Sequence, residues 1–232
     1  MSNGTTVCLL STPAVKAPLV DTILPDYEKA SGVALDSVFE PTALLVKRIY
    51  GGQRPDVMVA TSESFDQLVA AGLIDGPSQT PIVKAGIGIA VAAGTDWPNI
   101  SSTDSFVATM LRARSVAYSR AGASGIYFSE LIEQLGIAAE LNTKATIIER
   151  GLTGDALLDG RADIAVQMLS ELRLVTGADI VGPLPEALQH YTVFSAALGQ
   201  QATDNPQAQA LLRSLTSRQA IDAYANAGLQ NL

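Results

Sequence analysis

The chain has 232 residues, and 15 Lys plus Arg against 23 Asp plus Glu leave a formal net charge of −8. Hydrophobic residues make up 47% and charged residues 16%, which excludes intrinsic disorder, where low hydrophobicity meets high charge. The acidic balance lacks the basic footprint of a nucleic-acid binder. One histidine and one cysteine exclude a multi-His metal centre and an intrachain disulfide.

The predicted elements alternate strand and helix, the pattern of an α/β fold with mostly parallel strands. Val7–Leu10 reads as a buried strand, and Ser11, Thr12 and Pro13 follow it as a helix-start signal. The helical stretch runs to about Ser31, interrupted by Pro18 and closed by Gly32. Val33–Phe39 is a second strand, Thr42 caps a helix through Ile49, and Asp56–Ala60 is a third strand. Ser64–Ala71 is a helix. Ile82–Ala93 is a long apolar run holding Gly86 and Gly88, a weak signal by itself. Further along come a helix over Thr103–Arg114, a strand over Ser115–Ser119 and a helix over Gly125–Leu135. Strands at Ala145–Ile148 and Ile164–Gln167 flank a short helix at Asp155–Asp159. A brief segment at Asp179–Val181, a strand at Tyr191–Leu198 and helices within Pro206–Ala227 end the chain.

At ~150 residues per domain, the length suits one large domain or two small lobes. We expect one lobe from residues 5–84 plus 191–232 and another from 85–190, with a hinge at the crossings near 82–88 and 188–193. The opening Met1–Thr6 is polar and short, unlike a secretory signal, and no stretch reaches the ~18 apolar residues of a membrane helix. The expectation is a cytoplasmic protein without membrane insertion, or a periplasmic one if a signal has been removed.

Four places share one feature: a strand ends and small polar residues open a helix. They are Ser11–Thr12, Thr42, the stretch Ser119–Gly125 with Arg120 and Ser124 inside it, and Gly151–Gly154 with Thr153. Helix N-termini carry unpaired N–H groups and about half a positive charge, so such turns hold anion oxygens. Open α/β sheets bind ligands beyond the carboxyl ends of their strands, where these turns converge. The same turns also serve as ordinary helix caps, which need no ligand.

Several segments resemble the solute-binding proteins of molybdate-type ABC transporters over nearly the whole length. They are Val7–Thr12, Arg54–Val59, Gly125–Phe128 with Leu135–Ile137, Gly160–Ala165, and Asn205–Ala208 with Leu212–Ser217. The resemblance implies a two-lobed periplasmic-binding fold (type 2), a ligand cleft between lobes and a small anion as ligand. It implies ligand contacts at Ser11, Thr42 and the segment Ala117–Tyr127. Where that family offers a serine-rich turn, this chain has Glu40, Pro41 and Thr42, and a carboxylate there would repel an oxyanion. Arg120, shaped for bidentate carboxylate recognition, suggests a ligand bearing carboxylates. Ser119–Tyr127, Gly182–Gln189 and Thr192–Ser195 resemble the aconitate isomerase branch of the family. That likeness implies a shift of a double bond in a tricarboxylate without metal or organic cofactor.

An allylic shift needs a base near the substrate and donors for the carboxylate beside the developing carbanion. Glu40 and Glu171 are the candidate bases, and Tyr127 is the candidate proton donor. Glu171 can also be read as solvated or paired with Arg173, and Tyr127 as a core residue. His190 reads as exposed and Cys8 as a core residue. Ligand contacts are expected from Ser11, Thr12, Thr42, Ser119, Arg120, Ser124, Gly125 and Thr153. No P-loop, dinucleotide fingerprint or Ser-His-Asp order occurs. Two functions remain open. One is an isomerase of a small unsaturated polycarboxylate. The other is a non-catalytic binder of oxyanions or carboxylates, either a sensor or, if exported, the partner of an ABC permease.

Overall fold

The computed structural model describes residues 6–232, so Met1–Thr5, which include the expected start of the first lobe, lie outside it. The chain divides into two compact units, the first running up to Lys84 and resuming at Val193–Leu232, the second Ala85–Thr192. It passes between them inside two strands, after Lys84 and after Thr192.

Unit 1 holds β1 (Thr6–Ser11), β2 (Ala34–Phe39), β3 (Val57–Thr61) and part of β9 (Tyr191–Leu198), in the order β2-β1-β3-β9. The first three are parallel, with Ser11 level with both Phe39 and Val59, so their carboxyl ends share one edge of the sheet. β9 runs antiparallel to β3. Helices Thr42–Tyr50 and Ser64–Ala70 turn Leu45, Ile49, Phe65 and Leu68 onto Leu10 and Met58. Each of those six side chains is fully buried and contributes roughly 1.5–3 kcal/mol of transfer free energy. The end of the chain is stopped and restarted by caps. Asn205 accepts from the N–H groups of Gln207 and Ala208 ahead of helix Pro206–Leu215, and Ser217 accepts from Ala220 ahead of helix Arg218–Asn226.

Unit 2 holds β4 (Thr80–Ala92, which starts in unit 1), β5 (Val116–Tyr118), β6 (Ala145–Ile147), β7 (Ile164–Met168) and β8 (Ala178–Pro183). Their order is β6-β5-β7-β4, with β8 on β4. β5, β6 and β7 are parallel, and β4 is antiparallel to β7. The apolar run around Gly86 and Gly88 is therefore a long strand. Gly88 has a packing reason: a Cβ there would meet Leu169 Cδ2 at 2.2 Å and the Gly182 carbonyl at 2.9 Å. The strand leaves room for the residue that opens the turn after β7.

Three local expectations change. Thr42 is the first helical residue and Pro41 holds the cap position without a side-chain bond. The Thr42 hydroxyl instead accepts from the Thr61 N–H at 3.4 Å. The stretch around Pro18 is a series of tight and wide turns (Pro13–Val15, Lys16–Pro18, Leu19–Ile23) before regular helix at Leu24–Ser31, because Pro18 has no N–H for the helical ladder. Short helices at Ala138–Thr143 and Leu169–Leu172 carry too few residues to show a helical period in sequence.

Candidate functional site

In unit 1 the carboxyl edge of β1, β2 and β3 collects Ser11, Thr12, Glu40, Thr42 and Ser62. Ser11 is fully buried, and its hydroxyl reaches only the Thr12 carbonyl at 3.5 Å, the limit of a hydrogen bond. Thr12 sits at the start of the turn Pro13–Val15 and its side chain makes no capping bond. The backbone N–H of Glu40 donates to the Ser11 carbonyl at 3.0 Å, which locks the two strand ends together. Glu40 does not present the bare carboxylate expected of a base. Arg48, two turns along helix Thr42–Tyr50, grips it with Nε and Nη2, both at 2.7 Å. This fork occupies both carboxylate oxygens, and the charge that would repel an anion is neutralised locally.

In unit 2 the carboxyl edge of β5, β6 and β7 collects the remaining candidates. Ser119 follows β5, and its hydroxyl accepts from the N–H groups of Ala121 (3.2 Å) and Gly122 (3.3 Å), a tight turn built by one side chain. Helix Ala123–Gln134 then begins at Gly122 with no side-chain cap. Its third residue must be glycine: a Cβ on Gly125 would lie 1.5 Å from the Ser119 carbonyl oxygen. The helix start is thereby pressed onto the strand end. The N–H groups of Ala123 and Ser124 donate to no backbone carbonyl among the described residues, and the buried Ser124 hydroxyl lies beside them. Arg120 is exposed at this turn and makes no hydrogen bond or ion pair with any described residue.

After β7 the chain makes a different kind of site. Glu171 is only 8% exposed, and it is neither solvated nor paired with Arg173. Burial pushes its carboxyl up to about 7, against smaller opposing effects of hydrogen bonds from the Gln167 side chain and the Met168 backbone. Gln167 is itself buried inside β7. Its Oε1 accepts from the Thr153 N–H at 2.8 Å and the Thr153 hydroxyl at 2.9 Å. That pairing fixes the amide, so its Nε2 side is the one left for Glu171. Thr153, expected to contact ligand, is therefore turned inward, its hydroxyl committed to Gln167 and, at 3.3 Å, to the Val166 carbonyl. Next to Glu171, the Ser170 hydroxyl is buried without a hydrogen-bond partner among the described residues.

The expected proton donor is committed as well. The Tyr127 hydroxyl donates to the Leu188 carbonyl at 3.0 Å, and its ring stacks on His190 with centroids 4.6 Å apart. Burial, with the charge of Glu130 adding to it, raises the phenol above its ordinary value, so it gives up a proton less readily. His190 is exposed. Cys8 is half-buried, and burial followed by the nearby Asp36 charge keeps its thiol protonated. Among the described residues no three His, Cys, Asp or Glu side chains gather into a metal site, and no helix is long and apolar enough to cross a membrane.

Sequence reading missed three residues of these edges. Ser62 follows β3 with its hydroxyl 2.7 Å from that of the fully buried Ser195. It carries the same signal as Ser11, a small polar residue between strand and helix. Gln167 was legible as the lone amide within an apolar strand. Ser170 had no signal, since its burial depends on how Leu169 seats over Gly88.

A two-unit α/β molecule with polar turns at the carboxyl ends of both parallel sheets is the plan of a solute-binding protein. The chain matches the bacterial extracellular solute-binding protein family over residues 9–230, and it belongs to that family. It is 33% identical to an aconitate isomerase of Pseudomonas sp. over 232 residues, covering 97% of this chain and 88% of that protein. Among solved structures, the Azotobacter vinelandii periplasmic molybdate-binding protein has the same fold (TM-score 0.79, 16% identity, 96% of this chain and 98% of that one). So does a sulfate-binding protein of Mycobacterium tuberculosis (TM-score 0.76, 18% identity, 98% and 87%).

Proposed function

We propose that this protein is a cofactor-independent isomerase that moves a carbon–carbon double bond within a small unsaturated polycarboxylate of the aconitate type. The observation that carries the reading is Glu171, a buried carboxyl whose affinity for protons lies close to neutrality. A group at about 7 is half ionised at working pH, so it can take a proton and give it back. The likeness to an aconitate isomerase supports the choice of substrate class.

In this reading Glu171 removes a proton from the saturated carbon next to the double bond. The electron pair spreads through the allylic system into the neighbouring carboxylate, and the proton returns at the far carbon. Arg120 and the free N–H groups of Ala123 and Ser124 hold that carboxylate where negative charge grows. No oxidant or reductant is needed, because the electron pair stays within the substrate and Glu171 returns one proton, exchanged with water, for the one it removed.

The test is direct. Protein incubated with trans-aconitate should form the cis isomer, followed by proton NMR, and product made in deuterated water should carry solvent deuterium. Absence of any interconversion with either isomer ends this reading.

A second reading is supported by the uncharged hydroxyls of Ser11 and Thr12 and by the likeness of fold to molybdate- and sulfate-binding proteins. Here the protein only binds an oxyanion or small carboxylate. A thermal shift with molybdate, tungstate or sulfate, and none with aconitate, would select it. A ligand at 100 times its dissociation constant stabilises by ~2.7 kcal/mol, enough to register.

A further inference from the structure

We propose that unit 2 carries a second ligand site, at the sheet edge opposite Ser119 and Glu171, that takes a small zwitterion with an apolar body. The chemistry it fits is that of a free α-amino acid with a bulky aliphatic side chain. A cavity of about 480 Å³ opens there, lined by Val91, Pro98, Leu157 and Ile164 as apolar walls and by Asp96 and Arg112. Arg112 and Ile164 lie at or before the first residues of the parallel β5 and β7, whereas the candidate catalytic turns follow the last residues of the same strands. The two sites therefore lie at opposite ends of one sheet.

The polar groups of this cavity sort into two kinds. Most are already satisfied. The Thr95 hydroxyl donates to the Ala92 carbonyl at 2.7 Å, and the buried Thr109 hydroxyl donates to the Asn99 carbonyl at 2.8 Å. Arg114 donates to Asp163 at 2.8 Å and to the Gly160 carbonyl at 3.0 Å. Asp96 and Arg112 remain, and neither side chain has a hydrogen bond or ion pair with any described residue. They do not pair with each other, although both line the same space.

One unpaired anion and one unpaired cation, lining the same partly apolar cavity, complement a molecule that bears both charges. A carboxylate fits the planar fork of Arg112, an ammonium fits Asp96, and an aliphatic side chain covers the walls. A simple anion would face Asp96 unscreened, and a simple cation would face Arg112. Between Asp96 and Pro98 in sequence lies Trp97, 61% exposed and the one tryptophan of the chain, so the fluorescence signal comes from a residue flanked by two that line the cavity.

The experiment titrates the full chain with L-leucine, with leucinamide, which lacks the carboxylate, and with 4-methylpentanoate, which lacks the ammonium. Trp97 emission and titration calorimetry are the readouts. Leucine should give a saturable change, and both analogues should bind at least roughly tenfold more weakly, since each loses one charged contact. Arg112→Gln should erase the preference over leucinamide, and Asp96→Asn the preference over 4-methylpentanoate. Both side chains are exposed, so circular dichroism should confirm that both variants fold. Arg120→Ala should leave leucine binding unchanged. No saturable change with leucine, analogues that bind as well as leucine, variants that keep full discrimination, or loss of leucine binding in Arg120→Ala would each overturn the proposal.

Discussion

The two units each place a glutamate beyond the carboxyl end of a parallel strand, and the two glutamates have opposite surroundings. In unit 1, Glu40 accepts both arms of Arg48 and sits where water still reaches the guanidinium. In unit 2, Glu171 is buried with an amide and a backbone group for company and no cation beside it. The first is a charge made quiet by an opposite charge. The second is a carboxyl whose ionisation is opposed by the loss of water, and such a group titrates where proton transfer is useful. Both are glutamates that follow a strand, Glu40 directly after β2 and Glu171 in the short helix Leu169–Leu172 after β7. Packing separates them.

The contrast is broken most strongly by pH. Glu171 is held near 7 in the folded protein, against an ordinary value of 4.5. Between those two values the folded state keeps a proton that the unfolded chain has lost. The group's favourable share of stability is therefore complete below about pH 4.5, falls as pH rises, and is gone above about pH 7, a swing of about 3 kcal/mol. Glu171→Gln mimics the protonated form, so denaturant titrations should show its stability relative to wild type rising by that amount from pH 4.5 to pH 8. A gap between the two proteins that stays constant with pH would mean that burial does not raise this group.

The next largest effect is on turnover. Glu171→Gln should lower aconitate isomerisation by at least ~100-fold, the lower end of general-base contributions. Glu40→Gln should keep turnover at the wild-type order, since its carboxylate is committed to Arg48. The reverse ranking, measured by NMR at saturating substrate, would exchange the roles of the two units.

Arg120 gives a smaller step. Arg120→Lys keeps the charge but loses the fork, and affinity for a tricarboxylate measured by calorimetry should fall about tenfold, ~1.4 kcal/mol. Equal affinity in Arg120→Lys and Arg120→Ala removes this residue from the ligand. The smallest effect belongs to the Arg48–Glu40 pair itself. Arg48→Gln should lower the melting temperature slightly at low salt, and the difference should vanish in concentrated salt because the pair is exposed on the arginine side.

Much of the architecture was legible in local chemistry. Apolar runs such as Asp56–Ala60 and Tyr191–Leu198, and helix-start turns such as Ser11–Pro13, specify strands and their ends through burial and unpaired backbone groups, both of which depend on near neighbours in sequence. The stretch Ser119–Gly125 was legible for the same reason, as a turn whose Ser and Gly have mechanical tasks.

What the sequence determined by itself is the α/β alternation, the polar turns that follow the strands, and the presence of Arg120 in one of them. The tertiary structure alone decided which glutamate is paired with an arginine and which is buried without one, that Thr153 turns inward to orient Gln167, and that the Tyr127 proton is committed to Leu188. The physical reason is range. Capping and periodicity act over a few residues, but desolvation and pairing depend on side chains brought together from distant strands. Thr153 and Gln167 meet from 14 residues apart, and Leu169, just after β7, seats over Gly88 of the paired strand β4.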